Sequence, residues 1–456
     1  MFSDPQTKCL AFAALALLAT LKLQAADEAS APATPQSAAT MLRFATFNAS
    51  LNRDRAGALV EDMRDGVNSQ ALAVAEIIQR VNPDVLLINE FDFDEAHDAA
   101  RLFQANYLAI AHNGSTPIRY PYVFVAAVNT GLATGFDLNR DINVGGPEDA
   151  QGFGRFTGQY GMLVLSKVPI ETAKTRAFQK FLWRDMPGAA LPDDPASGEA
   201  AGWYAPSALG VLRLSSKSHW DLTLRASGGD IHLLVSHPTP PAFDGPEDRN
   251  GHRNHDEIRF WADYISGGRK NKYIYDDNGA SGGLKGGRFV IMGDQNADPA
   301  DGSSFQSAIL QLLLHPKVNA SMTPRSDGAV AAAARQGGVN ISQHGDPQFD
   351  TADFDDRDPG NLRTDYVLPS KTLRVCRSGV FWPAPAHPLG RAPSSMWSRR
   401  TRAHRRRAPW AATTPRSRRR SGSRGAGRRS LRRSVRRAAP TSRRRARRRP
   451  HGQGAG

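Results

Sequence analysis

The stretch Pro83-Asp84-Val85-Leu86-Leu87-Ile88-Asn89-Glu90 is a run of branched and apolar residues that opens on a proline and closes on an acid. Upstream of it, Val67 to Val81 carries apolar residues at helical spacing and stops before Pro83, which cannot continue a helix. Further upstream, Leu42 to Asn48 is a second short apolar and β-branched run. The order is strand, helix, strand. By the same reading, strands are expected at Tyr122–Val128, Met162–Leu165, Ile231–Ser236, Phe289–Met292 and Asp365–Leu368, with helices at Asn254–Ile265 and Ser304–Leu314. Residues 129–158, 185–206 and 268–287 are rich in Gly, Asp and Pro and read as long surface loops.

Charge divides the chain unevenly. Its 456 residues hold 59 Lys and Arg against 44 Asp and Glu, but 24 of the basic residues are Arg within residues 391–456, where there is no Lys, Asp or Glu. The remaining 35 basic residues leave the body at a formal charge of −9, so the overall +15 belongs to the tail and is no sign that the fold binds polyanions. At the other end, Lys8 precedes an apolar run from Cys9 to Leu21 and small residues at Ala25-Ala26. That run is short for a membrane span and has the length of a signal-peptide core, which predicts export with cleavage near residue 26. A buried helix or short anchor is the alternative. Residues 27–40, mostly Ala, Pro, Ser and Thr, read as a linker, and 41–390 as the folded domain. After cleavage only Cys376 remains, which excludes an intramolecular disulfide.

Five polar residues end or follow predicted strands. They are Asn48, Glu90, His237 in Val235-Ser236-His237-Pro238, the turn Gly293-Asp294-Gln295-Asn296, and Asp365 in Arg363-Thr364-Asp365-Tyr366. Singly, each reads more readily as a cap, a turn former or a structural histidine. In this order and with these neighbours, residues 42–382 resemble the endonuclease/exonuclease/phosphatase superfamily. The resemblance implies an α+β, DNase I-like fold, a four-layer α/β-sandwich of two mixed β-sheets flanked by helices. It also implies Mg²⁺- or Mn²⁺-assisted hydrolysis of a phosphate ester: nucleic acid, nucleotide, sugar phosphate or lipid head group. Glu90 with Asn48 is then the expected metal site. Asp294 would activate water, Asn296 would position it, and His237 would donate to the phosphoryl oxygen. Gln159 or Tyr160, in Gly158-Gln159-Tyr160-Gly161, matches a segment that supplies a phosphate contact in relatives.

The chain departs from that pattern at its end. Relatives finish on a strand-end Asp-His pair, whereas here no Asp follows residue 358 except Asp365. Three readings of 391–456 stand open: a frameshift in GC-rich coding sequence, a natural basic tail, or something else. Ala412-Thr413-Thr414, with G and then C at the third positions of its first two codons, reads Asp-His when shifted by one base, and the segment has almost nothing to bury. The rival to an active hydrolase is therefore an impaired or non-enzymatic protein, or a binding module that uses the tail.

Two further patterns invite a site. Asp137, Asn139, Asp141 and Glu148 stand at positions 1, 3, 5 and 12 of a calcium loop, although Ile142 occupies the sixth position, where the turn wants Gly. Structural Ca²⁺ and a solvated polar loop are the two readings. Downstream of His237, Arg249, Asn250 and Arg253 form either a substrate lip for a phosphate or part of a capped helix with a polar loop before it.

Overall fold

Val85 and Leu87 face one side of their strand, Leu86 and Ile88 the other, and all four are buried. A strand apolar on both faces needs a cover on each side, and that requirement generates the architecture. In this computed structural model the described residues are 41–389. The expected signal peptide (1–26), linker (27–40) and Arg-rich tail (391–456) lie outside them.

Two βαβ units organise the sheets. The first joins β1 (Phe44–Leu51) through helix α1 (Ser69–Val81) to β2 (Val85–Phe91), which pairs parallel to β1 with Phe44 opposite Val85 and Asn48 opposite Asn89. Helix α1 starts where the Asn68 side chain accepts from the Gln70 and Ala71 amides at 3.1 Å, and ends at Asn82 in the left-handed region before Pro83. Its Ala71, Val74, Ala75 and Ile78 lie at helical spacing and pack on Leu86 and Ile88. Burying side chains of this size stabilises by roughly 1.5–3 kcal/mol for each of the larger ones. Strands β3 (Tyr122–Val125) and β4 (Met162–Ser166) complete a sheet ordered β1-β2-β4-β3.

The second sheet begins with β5 (Arg176–Ala177), and a hairpin of β6 (His219–Ala226) and β7 (Gly229–Ser236) follows. Helix α2 (Arg249–Ser266) then crosses over to β8 (Phe289–Asp294), parallel to β7. A two-stranded ribbon of β9 (Ala352–Asp353) and β10 (Asn361–Leu362) precedes β11 (Asp365–Pro369), which lies antiparallel to β8. The order is β11-β8-β7-β6-β5. Each sheet is mixed, with one parallel pair and antiparallel remainder. Val85, Leu87 and Val164 of the first meet Trp220, Leu222, Leu233, Val235, Val290 and Met292 of the second, while Leu234, Ile291 and Leu368 turn outward to Ile258, Trp261 and Ile265 of α2. Helix, sheet, sheet, helix is the expected four-layer sandwich.

Some expectations needed correction. The helix expected over Ser304–Leu314 is broken, because Gln306 and Ser307 both adopt positive φ, which L-residues do not sustain in a right-handed helix. Only Leu310–Leu313 is α-helical there. Strand β3 stops at Val125, three residues short of the expected Val128. Strand β6 and helix α3 (Asp327–Gln336) were not anticipated. In β6, Trp220, Leu222 and Leu224 alternate inward with polar neighbours; α3 is an alanine-rich helix whose Ser326 hydroxyl accepts from the Ala329 amide at 3.2 Å.

Among the described residues β1 and β11 are outer strands of their sheets and run beside each other. A cavity of about 570 Å³ opens along them, walled by Phe44, Phe47, Val367, Val380 and Phe381 among others.

Candidate active site

In a parallel βαβ pair both strands finish at the same sheet edge, so β1 and β2 deliver Asn48 and Glu90 together, as β7 and β8 deliver His237 and Asp294. The stacked sheets bring the two ends into contact. Asn48 Nδ2 donates to Glu90 Oε1 at 2.8 Å and to Asp294 Oδ2 at 2.9 Å, and its Oδ1 accepts from the Ser50 amide at 3.1 Å. Asn52, not foreseen from sequence, donates to the other Glu90 oxygen at 2.9 Å. Glu90 itself sits at φ 58°, a conformation costly for a residue other than glycine and kept only where surroundings enforce it.

Asp294 is buried. Its Oδ1 accepts from the Asn296 amide at 3.0 Å, and His237 Nε2 lies 3.8 Å from Oδ2. Asn296 donates its side-chain amide to the Pro238 carbonyl at 3.0 Å, which ties the two strand-end loops and fixes its orientation. Asp365 stands opposite Asp294 in the β8–β11 register, and its Oδ2 accepts from Thr351 Oγ1 at 3.0 Å and Thr364 Oγ1 at 3.3 Å. These residues, drawn from both sheets, form one cluster.

Helix α2 holds the loops in place. Asn254 donates to the carbonyls of Thr239 and Gln295 at 2.8 and 2.9 Å, and buried Glu257 accepts from the Ser216 and Thr239 amides, both at 2.6 Å. Neither residue was singled out from sequence. Asp92, two residues past Glu90, likewise accepts from the Arg53 amide at 2.7 Å and the Tyr160 amide at 3.0 Å. Burial pushes its carboxyl up to about 7 despite those two donors. An acid two positions beyond a strand-end acid is the signal that would have found it.

Gln159 and Tyr160 are held differently. Gln159 is buried with Nε2 on the Arg53 carbonyl at 2.6 Å and Oε1 on the Arg155 amide at 2.8 Å, which leaves its side chain committed to loop structure. Tyr160 is held at φ 57° beside the cluster, and burial together with the Glu90 charge pushes its hydroxyl up to about 12. It is a neutral donor at physiological pH.

The residues of the substrate-lip reading have partners within the fold. The Arg253 guanidinium is buried and donates to the Leu214 and Arg213 carbonyls, each at 2.8 Å, and to the Gln151 carbonyl. Arg249 pairs with Glu247, and Asn250 donates its side chain to the Ala242 carbonyl at 2.7 Å while its amide reaches Asp244. Donors spent on the protein's own carbonyls and carboxylates do not greet a ligand. In the segment of the calcium-loop reading, the side chains bond within the loop. Asp137 accepts from the Asp141 and Ile142 amides and Asp141 from the Asn143 amide, and Asn139 donates to Asp141. Buried Asp149, not exposed Glu148, closes the loop by accepting from the Leu138, Gly145 and Gly146 amides.

Among the described residues no three His, Cys, Asp or Glu side chains gather to hold a metal. The Asn48 cluster offers another donor set: the carboxylates of Glu90 and Asp294, drawn together by the Asn48 amide. All-oxygen donors with excess negative charge suit a hard divalent cation.

The sequence profile described as "Endonuclease/Exonuclease/phosphatase family" matches residues 45–397. No curated protein matches the chain. Among solved structures, an endonuclease/exonuclease/phosphatase from Beutenbergia cavernae is similar at 16% identity and TM-score 0.39, covering 74% of this chain and 66% of its own. Sphingomyelinase C from Streptomyces griseocarneus is similar at 16% identity and TM-score 0.36, covering 73% of this chain and 85% of its own. A β-hairpin deletion mutant of beta toxin from Staphylococcus aureus is similar at 13% identity and TM-score 0.38, covering 76% and 94%.

Proposed function

The chain belongs to the endonuclease/exonuclease/phosphatase family, and on that premise we propose that it is a divalent-metal-dependent phosphoesterase that hydrolyses phosphomono- or phosphodiester bonds by attack of water. The observation that carries the reading is the Asn48 bridge between Glu90 and Asp294, which concentrates two carboxylates where three strand ends converge. Mg²⁺ or Mn²⁺, held by Glu90 with Asn48, would neutralise charge on a non-bridging oxygen and on the leaving group. Asp294 takes the proton of the attacking water, with its carboxylate fixed by Asn296 and Asn48. His237 donates to the phosphoryl oxygen as negative charge builds there. As the water oxygen bonds to phosphorus, the ester P–O bond breaks and the departing alkoxide takes a proton from solvent, to which Asp294 later returns the one it accepted.

The body's net charge of −9 opposes a long polyanionic substrate, which favours a small ester or a lipid head group over nucleic acid. The apolar run Cys9–Leu21 supports action outside the cytoplasm. The test is hydrolysis of bis-p-nitrophenyl phosphate and p-nitrophenyl phosphate with added Mg²⁺, with Mn²⁺ and with EDTA, in wild type and Glu90→Gln. Metal-dependent turnover that Glu90→Gln abolishes is expected. Turnover indifferent to EDTA, or a variant within about tenfold of wild type, rejects the reading.

A second reading, an impaired enzyme whose final coding stretch is frameshifted, draws support from the cavity along β1 and β11 and from the composition of residues 391–456. On this reading the cavity is the place of a strand that the shifted sequence no longer encodes.

A further inference from the structure

Lys217 lies two residues before β6. The first residue of that strand, His219, pairs with Ser236, so Lys217 stands at the same sheet end as His237. Its backbone is pinned there. The Ser216 hydroxyl donates to the His237 carbonyl at 3.3 Å, the Ser216 amide to Glu257 at 2.6 Å, and the Lys217 carbonyl accepts from the Asn129 amide at 2.9 Å. Only 7% of the residue is exposed.

The charges acting on its ammonium come from Glu257, Glu90 and Asp294, with Arg253 opposing. Those carboxylates are already engaged. Glu257 accepts two backbone amides, Glu90 accepts Asn48 and Asn52, and Asp294 accepts Asn48 and the Asn296 amide. No Lys217 side-chain ion pair within 4.0 Å occurs among the described residues. Burial lowers the ammonium's pKa, and the three carboxylates act against that shift. A buried cation held by field but without a direct acceptor is an expensive arrangement, and stability alone does not call for it.

We infer that Lys217 is a substrate contact, its ammonium binding a non-bridging oxygen of the phosphate between Glu90, Asp294 and His237. A phosphoryl group would supply a direct acceptor to an ammonium that makes no ion pair within 4.0 Å among the described residues. Its charge would otherwise meet two carboxylates, and Lys supplies a compact point charge on a flexible stem anchored just before β6. The inference rests on the phosphoesterase reading.

Inorganic phosphate is the probe, titrated calorimetrically into the full chain with Mg²⁺ present, for wild type, Lys217→Met and Lys217→Arg, alongside melting temperatures. Lys217→Met keeps the apolar stem and removes the charge. It should weaken phosphate binding at least about tenfold, raise KM more than it lowers kcat, and melt at or above wild type; Lys217→Arg should recover part of the affinity. Unchanged phosphate affinity in Lys217→Met overturns the inference. So does a lower melting temperature in Lys217→Met with no recovery of affinity in Lys217→Arg, which would make the lysine structural. Phosphate binding that depends on Lys217 in a chain that hydrolyses no ester would retire the hydrolase reading and keep the inference. Hydrolysis with phosphate affinity indifferent to Lys217 would do the reverse.

Discussion

Asn48 Nδ2 lies 2.9 Å from Asp294 Oδ2, although 246 positions separate the two residues along the chain. The contact joins the end of one βαβ unit to the end of the other, and it places the Asn48 amide between two acids. On the phosphoesterase reading, a cation held by Glu90 would relieve the same repulsion between Glu90 and Asp294.

Removing that donor should therefore expose the repulsion. Asn48→Ala is expected to lower the melting temperature without metal and, having lost a side chain that would hold the metal, to gain less than wild type from added Mg²⁺, while turnover falls about a hundredfold or more. Differential scanning fluorimetry with and without Mg²⁺ reads the first part. Equal Mg²⁺ stabilisation in both proteins would mean that Asn48 does not hold the cation.

Asp294 is buried with one oxygen on a backbone amide and the other on Asn48, which suits a base held in fixed orientation. Asp294→Asn should lower turnover by roughly 10²–10⁴ and leave the fold intact, the usual scale for a general acid–base group. Unchanged turnover, measured on the same ester with circular dichroism as the control for folding, moves the role elsewhere.

Asp92 supplies a pH signature. Burial raises its folded-state pKa to about 7 from the ordinary carboxylate value of 3.8. Between those values the folded protein holds a proton that the unfolded chain has released, so this group's contribution to stability falls as pH rises through that window. Asp92→Asn removes the titration. Its melting temperature relative to wild type should climb from pH 4 to about pH 7. A difference that stays flat across the window, or falls, contradicts the assignment.

Arg253 separates the two readings of the helix start. With its guanidinium on three carbonyls, Arg253→Ala leaves buried acceptors unsatisfied, a loss of about 1–3 kcal/mol for each such group. The expected result is a clearly lower melting temperature with KM unchanged in whatever enzyme remains folded. A raised KM at unchanged stability would restore the substrate lip.

For the tail, two forms of the gene should be compared: the sequence as it stands and one whose 3′ end is reframed to encode a strand-end Asp-His. The reframed protein should melt higher, by filling the cavity along β1 and β11, and hydrolyse at least about a hundredfold faster, a donor of that kind contributing about 2.7–4 kcal/mol. Equal melting and equal rates would make the Arg-rich segment a natural appendage.

Legibility in the sequence followed the range of the forces involved. Strands β2 and β8 and helix α1 were readable because periodicity and Pro83 act within a few residues of the elements they define. Glu90, Asp294 and His237 were readable as candidates because parallel strands must end at one edge. Strand β6 escaped, since Trp220, Leu222 and Leu224 alternate with polar residues too briefly to stand out. Only the folded chain decided what each polar group does. Arg253, Gln159 and Asp137 have the chemistry of ligand contacts, but each lies beside carbonyls or amides of distant or neighbouring loops and is consumed by them. Asn52, Asp92, Glu257 and Lys217 gained their places the same way, because a hydrogen bond or a buried charge is settled by what stands a few ångströms away, and local sequence does not fix that neighbour.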